Sequence, residues 1–438
     1  MPFDPAQLLA RLNTHENATA CWIAFSGGMD SHALLHAIAS RRGELTMPLG
    51  AMHVDHGLHG HSPAWAEHCR QVCAELGVDF VLLSGDARPT PGESPEAAAR
   101  NLRYGLLRDW LPVNALLLSA HHQDDQAETL LLQLLRGAGP KGLSAMPASV
   151  PLGQGTLLRP LLDYGRDDLR AYARDQGLEW LEDPSNADTR LDRNFLRRYL
   201  LPELKTRWPG TARVLARSAE LCAEAAELQE QVAQQDLAGA AGARPGTLSV
   251  AALGRLPEPR RRNLLRHWLQ TMGFSLPSRV VLGRILAEVL AARADAEPCV
   301  HWPGCEVRRY RDELFALAPL ASPPTGAAQD WAPGEVLAVA GGTLCADTAT
   351  GQGLRLTPGT RLQVRFRQGG EQLRLTGRAH HHALKQLLQE SGVPPWERER
   401  LPLLYLGEEL VAVADLWVAA GHQAGPGEPG WKIHWRHP

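Results

Sequence analysis

Cysteine is scarce and unpatterned in this sequence: seven residues in 438, odd in number and scattered, with no Cys-x-x-Cys anywhere. That excludes a disulfide-stapled scaffold and leads us to expect free thiols in a reducing compartment. Long apolar runs are missing too. None approaches the ~20 residues that cross a bilayer. The opening MPFDPAQLLARLNTHENATA has neither the basic start nor the apolar core of a signal peptide. A cytoplasmic location with no membrane partner is therefore expected. Nor is there a cationic excess: 45 Lys and Arg stand against 48 Asp and Glu, a net charge of −3. A polyanionic partner must then be met by a local basic surface, not by the chain as a whole. The remainder is ordinary for a globular protein, with 44% hydrophobic and 21% charged residues, and 438 residues exceed what one core organises.

Three pieces can be read along the chain. Residues 1–211 alternate short apolar runs, at 21–25, 49–54, 80–83 and 115–120, with helical patterns. That rhythm predicts an α/β domain with a Rossmann-like parallel sheet. Residues 212–319 open with an Ala/Glu/Gln-rich helical stretch and continue with RRRNLLRHWLQTMG and SRVVLGRILAEVLAAR, apolar at three-and-four spacing. A mainly helical middle domain is predicted. A linker biased to Pro, Gly and Ala follows over 320–335. Residues 336–438 mix strands with one clear helix, a small α+β domain.

The stretch IAFSGGMDSHALLHAI, 23–38, sets Ser26, Gly27, Gly28, Met29, Asp30 and Ser31 between a strand-like run and a helix. Backbone N–H groups and a helix N-terminus converge at such a turn, which suits a phosphate. It is not a P-loop, since no lysine follows the glycines, and Gly-x-Ser-x-Gly is absent. A plain glycine connector with Ser31 as helix cap is the simpler reading of the same residues. The next apolar run ends in GAMHVDHGLHGHS, placing Met52, His53 and Asp55 at a strand's C-terminal end, where open α/β sheets bind ligands. His53, His56, His59, His61 and His68 crowd together there, but their spacing fits no zinc signature. Cys69 and Cys73 are one helical turn apart and read as two small residues on one face.

EAAARNLRYGLLRDW reads as a helix whose basic face carries Arg100 and Arg103. In LLLSAHHQDDQAETLLLQLLRG a strand, a polar turn and a leucine-rich helix follow one another, with Asp124, Asp125 and Glu128 bunched at the helix start. Carboxylates beside a phosphate loop are also how Mg²⁺ is held. Gly137, Gly139 and Gly142 satisfy G-x-G-x-x-G but follow a helix, so a helix-terminal turn explains them better than a dinucleotide site. Farther on, Arg159, Arg166, Asp183, Asn186, Arg193, Asn194 and Arg197 form a dense polar cluster between apolar runs.

SGGMDS, HVDHGL, ARNLRY, AHHQDDQAETLLLQLLRG, RPLL and EDPSNAD with RNFLR together resemble the tRNA(Ile)-lysidine synthetase family, one of the N-type ATP pyrophosphatases that share a pyrophosphate (PP) loop. The blocks run in that family's order. RFRQGGEQLRLTGRAHHHALKQLLQESGVPPWERERLPLLYLGEELVAVADLWV resembles the C-terminal domain of its long form. The resemblance implies a PP-loop ATPase fold for the first piece and the use of ATP and Mg²⁺. It implies a ligase that joins L-lysine to C2 of the wobble cytidine of the CAU-anticodon tRNA(Ile). The route is an adenylated cytidine, releasing AMP and diphosphate, and the product tRNA reads AUA.

By that resemblance the turn from Ser26 to Ser31 holds ATP, and Met52, His53 and Asp55 pack its base. Asp30 and Asp125 organise Mg²⁺ and, with Arg193, carry the catalysis. Arg100, Arg103 and Arg193 neutralise phosphates or hold the lysine carboxylate, and Asp124 or Glu128 receives its α-amino group. In RLQVRFRQ, Leu362, Val364 and Phe366 alternate with Arg361, Arg365 and Arg367, giving an apolar and a cationic face. With Lys385, that cationic face is the expected tRNA contact. A homodimer fits such enzymes. The alternative is a tRNA-thiolating PP-loop enzyme, a class that typically carries the Cys-x-x-Cys this chain lacks, while GMP and NAD synthetases lack the C-terminal block.

Overall fold

The computed structural model describes residues 2–57, 62–88, 95–293, 296–320, 328–339 and 341–436. His59, His61, residues 321–327 of the linker and the side chain of Asn186 lie outside the described residues. The chain divides into two compact units, Met1–Gln231 and Val232–Pro438.

The first unit is built on a six-stranded sheet of β1 (Cys21–Ala24), β2 (Leu49–Asp55), β3 (Asp79–Ser84), β4 (Leu116–Leu118), β5 (Ser149–Leu152) and β6 (Gly155–Leu158). Its order is β3-β2-β1-β4-β6-β5. All neighbours are parallel except β5, an antiparallel edge on β6. Cys21 lies opposite Leu49 on one side and Leu116 on the other. β4 is three buried leucines in a row, the continuous apolar run of a central parallel strand covered on both faces.

Among the described residues seven helices accompany the sheet: α1 (Pro5–Leu12), α2 (Met29–Ala39), α3 (Ser62–Glu75), α4 (Pro95–Trp110), α5 (Gln123–Leu135), α6 (Pro140–Leu143) and α7 (Arg166–Asp175). Leu34, Leu35 and Ile38 of α2 share one core with Ile23, Leu118 and Leu169. Leu107 and Leu111 meet Met52, Leu117 and Leu157 in a second. Strand order reverses between β1 and β4, so the turns that follow them open side by side at a topological switch point. After α7 come α8 (Asp192–Phe195), a π-helical turn at Leu196–Leu200, α9 (Leu201–Arg207) and α10 (Thr211–Gly239). Leu201 and Ala212 cluster with Ala127 of α5, which fixes this segment beside the turn after β4.

In the second unit α11 (Val250–Arg255), α12 (Glu258–Thr271) and α13 (Arg279–Arg284) supply the foreseen helices. They share a core with an antiparallel sheet, β7 (Leu248–Ser249), β10 (Glu313–Leu317), β9 (Cys305–Tyr310) and β8 (Cys299–Trp302), in that order. Helical periodicity did not reveal this sheet. Its strands bury Val300, Val307 and Leu314, but Arg308 and Arg309 break the alternation that would mark them. The C-terminal piece has its own core. One sheet there runs β11 (Gln329–Trp331), β14 (Leu362–Arg365), β17 (Leu403–Leu406), β18 (Glu409–Val413), β19 (Trp417–Val418). A second joins β12 (Leu337–Val339), β13 (Gly342–Thr350) and β20 (Pro429–Arg436). A short hairpin, β15 (Gln372–Leu373) with β16 (His382–Ala383), leads into α14 (Leu384–Glu390), and α15 (Pro395–Arg398) follows. No helix among the described residues is long and apolar enough to cross a membrane.

Candidate active site

The turn after β1 is shaped by its glycines. Gly27 sits at φ +80°, in the left-handed region that side chains avoid, and its carbonyl accepts from Leu181 N at 3.0 Å. A Cβ there would meet Cys69 Sγ at 3.1 Å. Gly28 differs: its φ is −81°, and a Cβ would meet only Ser26 Oγ, at 3.5 Å. Among the described residues no other atom outside its chain neighbours comes within 4 Å of that Cβ position, so the space beside Gly28 is open. Ser31 Oγ donates to Gly28 O at 3.0 Å and lies 3.1 Å from Ser26 Oγ, which ties the two ends of the turn together. Gly28 is also the N-cap of α2 and brings no side-chain cap, so the helix's first N–H groups face that space.

The turn after β4 brings the acids. His122 caps α5: its backbone N donates to Asp125 Oδ2 at 3.0 Å, and Asp125 N donates back to His122 Nδ1 at 3.4 Å. The other imidazole nitrogen, Nε2, lies 3.4 Å from Asp125 Oδ2 and 3.6 Å from Asp30 Oδ2. Asp30 and Asp125, the two carboxylates expected at the metal, thus flank one buried histidine. Asp30 Oδ1 is buried without a hydrogen-bond partner among the described residues, 3.7 Å from Arg166 Nε.

Four cations surround these acids. Arg197, on the π-helical turn, donates to Asp125 Oδ1 at 2.9 Å and makes a two-pronged fork on Glu128, at 2.6 and 2.9 Å. Arg193 Nε lies 3.1 Å from Glu128 Oε2, and its Nη2 donates to Thr129 Oγ1 at 2.9 Å. Lys205 of α9 pairs with Asp124, whose Oδ2 also accepts the first helical N–H of α7, from Arg166, at 2.9 Å.

The electrostatics follow from that geometry. Burial works to raise the Asp125 carboxyl, but His122, His121, Arg197 and Arg193 outweigh it and bring it down to about 2. Burial pulls His122 the other way, and Asp125 and Asp30 lift it above its ordinary value. For Asp124, burial is likewise overcome by Lys205 and the Arg166 N–H, which hold it low. Burial raises the Glu128 carboxyl, whereas Glu128 and Asp125 raise the Arg197 guanidinium despite its own burial. With two guanidiniums on one carboxylate, the geometry supports the ionised pair. Burial lowers His121 to about 4, and its Nδ1 lies 2.7 Å from Ser119 Oγ.

The sequence-predicted residues divide accordingly. Asp30, Asp124, Asp125, Glu128 and Arg193 form one network. Arg166, Arg197, Lys205 and His122 belong to it as well and were given no role from sequence; the first two stood in the polar cluster already noted. Glu128 departs from its expected part: both of its oxygens are taken by arginines, which leaves it an anchor for them and not a receptor for an amine. Met52, in the middle of β2, is buried in the core with Leu107 and Leu117, and Asp55 accepts from Gly57 N at 2.9 Å. His53 is buried with Nδ1 2.9 Å from Phe25 O and 3.5 Å from Cys69 Sγ, a link between β2 and the end of β1. Arg103 donates to His56 Nε2 at 3.0 Å, and Arg100 lies over the Tyr104 ring at 5.0 Å. No three His, Cys, Asp or Glu side chains among the described residues gather as a metal site on their own. A Mg²⁺ ion would use Asp30 Oδ1 and draw its remaining oxygens from phosphate and water.

On β14, Leu362 and Val364 are buried and the arginines point away, as the alternation required. Each arginine has a carboxylate. Arg361 lies 3.5 Å from Glu335, Arg365 makes two 3.0 Å bonds to Glu408, and Arg367 lies 3.6 Å from Glu371. The face is therefore nearer neutral than its sequence pattern suggests. Lys385 is exposed on α14.

Comparison with known proteins places these features in a family. Residues 4–204 match the PP-loop domain, 248–315 the TilS substrate binding domain and 362–435 the TilS substrate C-terminal domain. The chain is 42% identical over 439 aligned positions to the tRNA(Ile)-lysidine synthase of Coxiella burnetii, covering 100% of this chain and 97% of that one. It is 44% identical to the one from Alkalilimnicola ehrlichii, covering 97% and 95%. Among solved structures, a U34-tRNA thiolase from Methanococcus maripaludis aligns over 50% of this chain and 78% of its own, at 16% identity and TM-score 0.42. With near-complete coverage by relatives above 40% identity and all three domains in order, the chain belongs to the tRNA(Ile)-lysidine synthase family.

Proposed function

We propose that this chain is a ligase that forms a C–N bond, joining L-lysine to C2 of the wobble cytidine of the CAU-anticodon tRNA(Ile) at the expense of ATP. The observation that carries the reading is the meeting of the open Gly28 turn with the Asp30–His122–Asp125 network, inside a chain that matches the PP-loop domain and both TilS substrate domains.

The cytosine C2 oxygen is a poor leaving group. It attacks the α-phosphorus of ATP, the bond to the bridging oxygen breaks, and diphosphate departs. The ε-amine of lysine then attacks C2, and the C2–O bond breaks with that oxygen leaving on AMP. The uncapped start of α2 and the N–H groups of the turn supply fixed donors for the departing phosphates, worth a few kcal/mol per well-placed donor. Arg166, Arg193 and Arg197, grouped around Asp30, Asp125 and Glu128, add positive charge to the site. A Mg²⁺ ion, if bound, would supply further charge neutralisation. Asp30 Oδ1 is the oxygen disposed to hold it, while Asp125 keeps His122 and Arg197 in place and would join the ion only by giving up one of those donors. Arg100 and Arg103 on α4 are the candidates for the lysine carboxylate and Asp55 for the adenine edge, whereas Met52, buried in the core with its carbonyl accepting from Phe25 N at 2.7 Å, is not disposed to touch the base.

Purified chain given ATP, Mg²⁺ and a CAU-anticodon transcript should release diphosphate, and AMP should follow only once L-lysine is added, with lysidine detected in the digested RNA. Incorporation of sulfur in place of lysine, or no AMP at all, would overturn the assignment.

A further inference from the structure

We propose that the exposed rings of residues 192–208, Phe195 with Tyr199 and Trp208 farther along the segment, are stacking surfaces for the unpaired bases beside the cytidine that enters the candidate site. The inference deepens the lysidine synthase reading and rests on it.

The sequence holds 7 Phe, 12 Trp and 6 Tyr, so exposed rings could occur anywhere. Among the described residues only three expose more than about a third of their surface: Phe195 at 50%, Tyr199 at 54% and Trp208 at 58%. All three fall in this one short segment. Rings so exposed add little to the core they do not reach, and their concentration marks a surface that another molecule covers. They are not splayed at random. Phe195 and Tyr199 lie 5.4 Å apart at 46°, and Arg207 lies over the Trp208 ring at 5.6 Å.

Chemistry selects the occupant. Of the five cations in residues 192–208, Arg193, Arg197 and Lys205 turn inward to acids, which leaves Arg198 and Arg207 for the outer face beside Asp192 and Glu203. Guanidinium planes interleaved with exposed rings, Arg207 over Trp208 among them, suit the bases of unpaired RNA more than a second protein surface. Position selects the part of the RNA. Arg193 and Arg197 reach inward to Glu128 from the same segment, and residues two positions on lie at about 200° around a helix, on its far side. A base stacked outside is thus about one helix diameter, some 10 Å, from the network. A wobble base that enters a buried site abandons its neighbours' stack. Aromatic and guanidinium planes are what unpaired RNA bases stack on instead.

The test uses the full chain, a 17-nucleotide anticodon stem-loop as probe, and two sets of variants, with that length chosen as roughly one loop plus a short stem. In Tyr199→Leu with Trp208→Leu the sites stay apolar but lose their rings; in Tyr199→Phe with Trp208→Phe the rings remain. The expected result is stem-loop affinity at least about tenfold weaker in the Leu pair, near-parental affinity in the Phe pair, and equal melting temperatures. A fluorescent base analogue next to the wobble position should lose its quenching only in the Leu pair. Affinity within twofold of the parent for the Leu pair overturns the proposal, as does a parent dimer that the Leu pair dissociates. Binding is read without turnover, so a parent that binds the loop but makes no lysidine would sink the functional reading and leave this surface standing.

Discussion

Arg197 grips Glu128 through both prongs of its guanidinium, Nε on Oε1 at 2.6 Å and Nη2 on Oε2 at 2.9 Å, with the Glu128 side chain only 1% exposed. A buried carboxylate so engaged is the post on which Arg193 and Arg197 stand. Removing one partner of a buried pair leaves the other charged and unpaired, at a cost of about 3–5 kcal/mol. Glu128→Ala should lower the melting temperature of the first unit by about 6–20 °C. Arg197→Lys should also lose activity, because an ammonium cannot span both oxygens. A Glu128→Ala protein that melts with the parent would show that the fork holds nothing.

Gly27 and Gly28 are adjacent and predict opposite outcomes. Gly27→Ala forces a side chain into the left-handed region and against Cys69 Sγ, and should cost about 1–2 kcal/mol. Gly28→Ala meets no backbone penalty and should melt within about 2 °C of the parent. Its methyl group would nonetheless stand where phosphates approach, and AMP release should fall on the order of 100-fold. Normal turnover in Gly28→Ala would mean that the space beside it receives no ligand.

Much of this was legible in the sequence, and the limits have physical causes. The strands, the glycine turn and the acids of α5 declare themselves because period, turn chemistry and helix-start charge are local signals. Asp30, Asp124, Asp125 and Glu128 were found that way. His122 was not, because an imidazole N-cap has no sequence signature apart from the Asp125 three residues on. Lys205 was missed for another reason: it meets Asp124 across 81 positions, and only packing of Leu201 on Ala127 brings them together. The cationic face of β14 was read correctly as a face, but the partners Glu335, Glu408 and Glu371 come from other segments and alternation along one strand cannot show them.

The histidine between Asp30 and Asp125 gives the first unit a pH signature. Folding raises His122 above its ordinary 6.5, so its contribution is complete below that value and is lost as pH climbs through the raised one. Folding lowers Asp125 from 3.8 to about 2, so its contribution is complete above 3.8 and is lost as pH falls toward 2. The network is therefore most stabilising between those two ordinary values. Melting temperature should decline from pH 6.5 toward 8, and His122→Gln should flatten that decline. An unchanged slope in the variant would remove His122 as its source.

The three arginines of the C-terminal face should not behave alike. Arg367 and Glu371 are 17% and 9% exposed, and Glu371 Oε1 also accepts from the N–H groups of Gln368 and Gly369 at 2.6 and 2.8 Å. Arg367→Ala should therefore cost stability more than RNA affinity. Arg365 is held by Glu408, whose side chain is 87% exposed. Glu408→Gln should free that guanidinium, tighten RNA binding and steepen its salt dependence by about one charge. Titrations at several salt concentrations decide it, and weaker binding by Glu408→Gln would place the RNA elsewhere.

Asp30 and Asp125 sit at similar distances from His122 Nε2, 3.6 and 3.4 Å, yet their second oxygens differ. Asp125 Oδ1 is occupied by Arg197, whereas Asp30 Oδ1 is buried and has no hydrogen-bond partner among the described residues. Arg166 Nε, 3.7 Å away, is beyond hydrogen-bond reach of that oxygen, which therefore keeps its lone pairs free for a closer cation. Asp30→Asn should consequently leave the melting temperature of the protein alone close to the parent's, abolish AMP release, and remove the extra thermal stability that ATP with Mg²⁺ confers on the parent. Asp125→Asn should fail differently. An amide at that position cannot satisfy both His122 and Arg197, so the melting temperature should fall before any nucleotide is added. If Asp30→Asn proves the less stable variant and still gains stability from ATP with Mg²⁺, the free oxygen is not where the ion binds.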